Sequence, residues 1–148
     1  MTAKYRVGVI ASGRIAREHG RGWAECEHTE IVAIGDAHPE ALASYAADFN
    51  VPNTYLDYRE MLDSGLLDGV LVCSPHHLHY EHAHAALDRG LHVLLEKPIT
   101  LDPDEGRALV TLADEKGLAL VVAQNPPYWS HCRYLRDKIG RASCRERV

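Results

Sequence analysis

Lys4-Tyr5-Arg6-Val7-Gly8-Val9-Ile10-Ala11-Ser12-Gly13-Arg14-Ile15-Ala16 is the stretch on which the fold turns. Its β-branched run stops at Ala11-Ser12-Gly13, after which Ile15, His19 and Trp23 recur at i, i+4 and i+8. That change of period predicts a strand, a tight turn and a helix. Across the turn runs Gly8-x-x-Ala11-x-Gly13-x-x-Ala16, and Asp36 closes the next strand 23 residues after Gly13.

In a strand-to-helix turn this spacing marks a dinucleotide site. Gly13 lets the backbone approach a pyrophosphate, whose charge meets free N–H groups at the helix start, and Ala16 permits close helix packing. Asp36 is placed to accept from the adenosine ribose hydroxyls and to repel a 2′-phosphate, which favours NAD over NADP. Gly8, Ala11, Ser12, Gly13, Arg14, Ile15 and Asp36 are thus cofactor-binding candidates. Ala11 replaces the first glycine of the strict pattern, and its methyl is tolerable if φ there is negative. Arg14 has two readings, a pyrophosphate partner or a solvated side chain.

Outward from this turn, strands and helices alternate. Glu30 to Gly35 reads as a second strand, followed by a helix with Pro39 in its first turn and Leu42, Tyr45, Ala46 and Phe49 at helical spacing. Asn53 to Leu56, Gly69 to Cys73, His92 to Leu95 and Leu118 to Ala123 read as four more strands. Helices are expected over Tyr58 to Ser64, His77 to Arg89 (closed by Gly90), and from Pro103 to Gly117. Asp102 is the expected cap of the last, with Glu105 completing a capping box. Six strands alternating with helices predict an α/β fold, a doubly wound parallel sheet. Ligands of such sheets bind beyond the carboxyl ends of the strands. The apolar run Val93-Leu94-Leu95 delivers Glu96, Lys97 and Pro98 to such an end.

The chain has 148 residues, 46% hydrophobic and 25% charged, which suits one ordinary domain with a real core. Net charge is −5, which argues against nucleic acid as a partner and favours a small molecule. No apolar run approaches the ~20 residues of a membrane helix, and the N-terminus enters a strand pattern without a signal peptide. A cytoplasmic protein without a membrane partner is expected. The four cysteines form no C-x-x-C pair, so free thiols are expected rather than zinc or disulfides. His76, His77, His79, His82 and His84 crowd one segment without carboxylate or cysteine partners at ligand spacing. They read as a polar helix face, and no metal is expected.

These residues resemble the Gfo/Idh/MocA (glucose-fructose oxidoreductase and inositol dehydrogenase) family over residues 4 to about 137. The carriers are Val7 to Ala16, Asp36, Ser74-Pro75-His76-His77-Leu78-His79, Gly90-Leu91-His92-Val93 and Glu96-Lys97-Pro98. The resemblance implies a Rossmann domain of a bound-NAD(P) oxidoreductase acting on a sugar, cyclitol or related hydroxy or keto compound. It implies Lys97 beside nicotinamide and substrate, with Glu96 orienting it. Ser74, Pro75, His76 and His79 would border the nicotinamide half, and Asn125, in Gln124-Asn125-Pro126-Pro127-Tyr128, would face ribose or substrate. Hydride transfer from an alcohol requires removal of its hydroxyl proton, and a lysine beside the cofactor is suited to share it. An alternative reading is a non-catalytic NAD-binding module. A cis peptide is possible before Pro98, although trans is the ordinary expectation.

The family would continue into an α+β substrate domain and, when complete, a homo-oligomer. Here residues 1–123 are expected to be the dinucleotide-binding domain and 124–138 the start of a connection. Residues 139–148, Ile-Gly-Arg-Ala-Ser-Cys-Arg-Glu-Arg-Val, are what ATC GGA AGA GCG TCG TGT AGG GAA AGA GTG encodes, which resembles a sequencing-library adapter read as codons. That segment is expected to be foreign. The truncated chain is then expected to bind NAD weakly without turnover.

Overall fold

The structure, a computed structural model, describes residues 4–125 and 129–145, with side chains through residue 139. Pro126, Pro127 and Tyr128, and the last three residues of the expected foreign segment, lie outside the described residues.

All the predicted elements form in the expected order. They are β1 (Tyr5–Ile10), α1 (Arg14–Ala24), β2 (Thr29–Gly35), α2 (Pro39–Phe49), β3 (Asn53–Tyr55) and α3 (Tyr58–Leu62). Next come β4 (Gly69–Val72), α4 (His79–Asp88), β5 (His92–Leu95), α5 (Pro103–Lys116) and β6 (Leu120–Val122); a further helix, α6 (Ser130–Arg145), follows where only a connection and a foreign tail were expected. The six strands make one parallel sheet in the order β3-β2-β1-β4-β5-β6.

Strand alternation divides the core between the two faces. Val9, Ile34 and Leu71 pack with Ala16 of α1 and with Leu42 and Tyr45 of α2. Their neighbours Ile10, Ala33, Val70, Val72, Val93 and Leu95 face the other way, onto Met61, Ala83, Leu87 and Leu109 from α3, α4 and α5. Burial on both faces is why the strands read as unbroken apolar runs.

Three local expectations are corrected. The helix expected over His77–Arg89 divides into a 3₁₀ turn, His76–Leu78, and α4, because Leu78 at φ −100°, ψ −3° leaves helical geometry. β6 is shorter than Leu118–Ala123 because the Leu118 N–H closes α5 on the Ala113 carbonyl and the Ala119 N–H donates to His92 Nδ1 at 3.0 Å. Asp102 caps α5 by accepting from the Asp104 N–H at 2.8 Å, without a return bond from Glu105 among the described residues. Gly117 at φ +64° ends that helix as expected.

Candidate functional site

β1 and β4 lie side by side while their following helices pack on opposite faces, so the chain parts beyond their carboxyl ends. A cleft of about 920 Å³ opens there, within the range of small-molecule and cofactor sites. It is lined by Ala11, Gly13, Arg14, Ile15, Asp36, Ser74, Pro75 and His76, all named from sequence. Tyr58, Arg59, Cys73 and His82 line it as well and were not anticipated. Tyr58 and Arg59 follow β3, so the strand-end rule that singled out Lys97 would have found them.

The two glycines of the fingerprint have different physical reasons. A Cβ on Gly8 would lie 2.8 Å from Leu67 Cδ1 and 3.3 Å from Met61 Cε, so this glycine serves packing under α3, and it does not line the cleft. Gly13 has φ −65° and ψ −177°, extended backbone open to any residue, and a Cβ there would meet nothing within 4 Å. Neither conformation nor packing requires glycine at 13. What it leaves open is the cradle at the start of α1, whose first turn carries no side-chain cap. Free N–H groups at an open helix N-terminus suit a pyrophosphate, so the residues fit a dinucleotide.

Ala11 overturns one condition set above. Its φ is +72°, in the region L-residues avoid, while its N–H donates to the Gly35 carbonyl at 2.8 Å. The turn keeps its shape with a methyl at a strained position.

Asp36 comes to the cleft at the end of β2 with only 11% of its side chain exposed. Its Oδ2 accepts from the Ser12 N–H at 2.8 Å and the Ser12 hydroxyl at 2.6 Å, and its Oδ1 accepts from the His38 N–H at 2.8 Å. Burial alone would raise this carboxyl, but the hydrogen bonds from Ser12 and His38 outweigh it and hold the group below its ordinary value. The carboxylate is kept ionised where a ribose would lie.

Of the five histidines, His76 and His77 are exposed and His84 half-buried, but His79 and His82 depart from a polar face. His79 is fully buried, with Nδ1 2.6 Å from the Pro98 carbonyl oxygen and Nε2 3.0 Å from that of Ser74. It ties the β4 and β5 turns together from behind, and it does not line the cleft. His82, 7% exposed, rests on the Tyr58 ring at 4.2 Å between centroids, and burial pushes its imidazole down to about 4. No group of three His, Cys, Asp or Glu poised to hold a metal occurs among the described residues.

Beyond β5, Glu96 is buried, 6% exposed, and points to the α1 face. Its Oε1 lies 2.8 Å from His19 Nε2, and its Oε2 accepts from the Lys97 backbone N–H at 3.1 Å. Glu96 thus holds the Lys97 main chain, and its carboxylate makes no ion pair with the Lys97 ammonium among the described residues. His19, read only as a helix-face residue, is its partner. A polar residue at a buried helical spacing was the available signal. Lys97 is exposed and its ammonium makes no ion pair among the described residues. The Lys97–Pro98 peptide is cis. Burial, with Glu96 nearby, raises the Cys73 thiol to about 12, and Cys26, Cys73 and Cys132 are free. Asn125 is exposed beyond β6, outside the cleft lining.

Residues 5–124 match the model of the GFO_IDH_MocA oxidoreductase family, NAD-binding Rossmann fold. Over 98 residues the chain is 41% identical to D-xylose 1-dehydrogenase (NADP(+)) 2 of Haloferax volcanii, covering 66% of this chain and 30% of that protein. It is 29% identical over 135 residues to D-glucoside 3-dehydrogenase of Escherichia coli, covering 90% and 38%. The WlbA dehydrogenase of Bordetella pertussis, solved with NADH and UDP-GlcNAcA, superposes with a TM-score of 0.89 at 27% identity, covering 94% and 42%. The chain spans about two fifths of the length of the first relatives it matches. No described helix is long and apolar enough to cross a membrane.

Proposed function

This chain belongs to the Gfo/Idh/MocA oxidoreductase family, whose NAD-binding Rossmann domain it carries, and from that premise we propose that it is the cofactor half of a dehydrogenase acting on a sugar, cyclitol or related polar small molecule. The observation that carries the cofactor reading is Gly13, a glycine required by neither backbone angle nor packing and set at an uncapped helix start.

In this reading the α1 N-terminus and Arg14 receive the pyrophosphate and the Asp36 carboxylate receives the adenosine ribose in preference to a 2′-phosphorylated one. Nicotinamide, when bound, supplies the hydride acceptor or donor. Lys97, carried past the end of β5, shares the proton of the reacting hydroxyl. Glu96, clamped by His19, fixes the main chain from which that lysine projects. Relatives more than twice this chain's length support taking residues 1–123 as one domain and 124–138 as a connection to a substrate domain, while 139–148 are read as foreign on the codon match alone. The coding DNA tests the last point: any codon set departing from the adapter refutes it.

The chain is titrated calorimetrically with NAD, and the complete gene, once recovered, is assayed by NADH absorbance against a panel of sugars and polyols. NAD binding by the chain and turnover by the complete protein, abolished by Lys97→Ala, is the expected result. NAD binding without turnover on any member would favour a non-catalytic module, and absence of NAD binding would refute the cofactor reading.

A further inference from the structure

We infer that Ser12 is a positioning residue for cofactor choice: its hydroxyl locks the Asp36 carboxylate in the orientation that accepts an unphosphorylated adenosine ribose. The inference rests on the dinucleotide reading above and gives Ser12 a specific part in it.

A carboxylate offers about four lone-pair positions. Around Asp36 all four have partners. Oδ2 receives the Ser12 N–H at 2.8 Å and the Ser12 hydroxyl at 2.6 Å; Oδ1 receives the His38 N–H at 2.8 Å and faces His38 Nδ1 at 3.2 Å. These partners differ in how easily they leave. Two are backbone groups of turns closed by the sheet, and the Ser12 hydroxyl belongs to a residue only 3% exposed. The His38 side chain is 86% exposed and makes the longest of the four contacts. A ribose hydroxyl therefore displaces the His38 ring from Oδ1 at least cost, while Ser12 keeps Oδ2.

The hydroxyl is more than the turn requires. An alanine at 12 would still donate its backbone N–H to Asp36, and the turn's shape comes from Ala11 and the Ala11–Gly35 hydrogen bond. What Ser12 Oγ adds is the shortest bond to the carboxylate, made from behind the cleft lining, so that it acts on the ribose through Asp36. A 2′-phosphate brings only negative oxygens to the same carboxylate. Other charged side chains on this cleft are Arg14, Asp57 and Arg59, none of which is hydrogen-bonded to Ser12 among the described residues. The depressed titration of Asp36, to which Ser12 contributes two hydrogen bonds, agrees with the lock.

The test titrates the 148-residue chain and its Ser12→Ala and Ser12→Gly variants with NAD and with NADP by calorimetry, and follows the Asp36 carboxyl carbon by NMR against pH. The expected result is a fall of about tenfold in the NAD-to-NADP affinity ratio, arising from weaker NAD binding with NADP unchanged, the loss of one hydrogen bond to a charged group. It also includes a higher Asp36 titration midpoint in both variants. An unchanged ratio, or loss of both affinities by one common factor, would overturn the inference and make Ser12 an ordinary turn residue. So would an unmoved Asp36 midpoint. If the unsubstituted chain binds neither dinucleotide, the cofactor reading itself fails and this inference with it.

Discussion

Replacing Gly13 by alanine separates what a glycine does for the fold from what it does for a ligand. The backbone at 13 sits at φ −65°, ψ −177°, and the new Cβ would have no neighbour within 4 Å, so the native state accommodates it without strain. Alanine is a poorer helix cap than glycine by up to about 1 kcal/mol. It also restricts the unfolded chain, which returns about 0.4–1 kcal/mol. The two nearly cancel, and stability should stay within about 0.5 kcal/mol, a shift in Tm of roughly 2 °C or less. The ligand has no such compensation. A methyl in the cradle at the α1 N-terminus must push the pyrophosphate off the N–H groups or be compressed against it, an overpacking cost of about 1–3 kcal/mol. That corresponds to NAD binding weakened roughly 5- to 150-fold. Thermal unfolding followed by circular dichroism reads the first quantity and calorimetric titration with NAD the second. A dissociation constant within twofold of the unsubstituted chain would refute the argument, since a pyrophosphate would then not lie against Gly13. A stability loss beyond about 1 kcal/mol would show the space around that Cβ to be occupied.

Gly8→Val should do the reverse, because its side chain must displace Leu67 and Met61. Chemical denaturation should show a loss of about 1–3 kcal/mol, with NAD affinity of the folded fraction unchanged. Ala11→Gly should stabilise, since relief of about 1–2 kcal/mol at φ +72° exceeds the added freedom of the unfolded chain; a lowered Tm would contradict the positive φ. Asp36, held below its ordinary value of 3.8 by Ser12 and His38, contributes stability that is full above the unfolded-state value and disappears as pH falls through the folded one. Asp36→Asn should therefore flatten the acid limb of the stability profile below about pH 4, and an unaltered limb would show that these hydrogen bonds do not set its titration.

Much of this protein was legible in the chain because it is encoded locally. Strand periods, the Pro39 and Pro103 helix starts and the Gly117 end depend on neighbours within a turn, and so does the delivery of Glu96 and Lys97 to a strand's end. Residues whose meaning depends on what folds over them were read incompletely. Gly8 and Gly13 look alike in the fingerprint, yet α3 and the Leu67 segment close over one while the other faces open space. His79 and His82 look like a polar surface until the β5 turn and Tyr58 cover them. Glu96 has no partner legible in its own neighbourhood, and α1 brings His19 to it from 77 residues away. Sequence alone determined the elements, their alternation and the chemistry carried to the strand ends, because periodicity, capping and turn residues act over a few positions. Only the tertiary structure decided which side chains meet at the cleft, because the parallel sheet brings together strand ends that the chain separates by a helix or more, and burial there depends on elements remote in sequence.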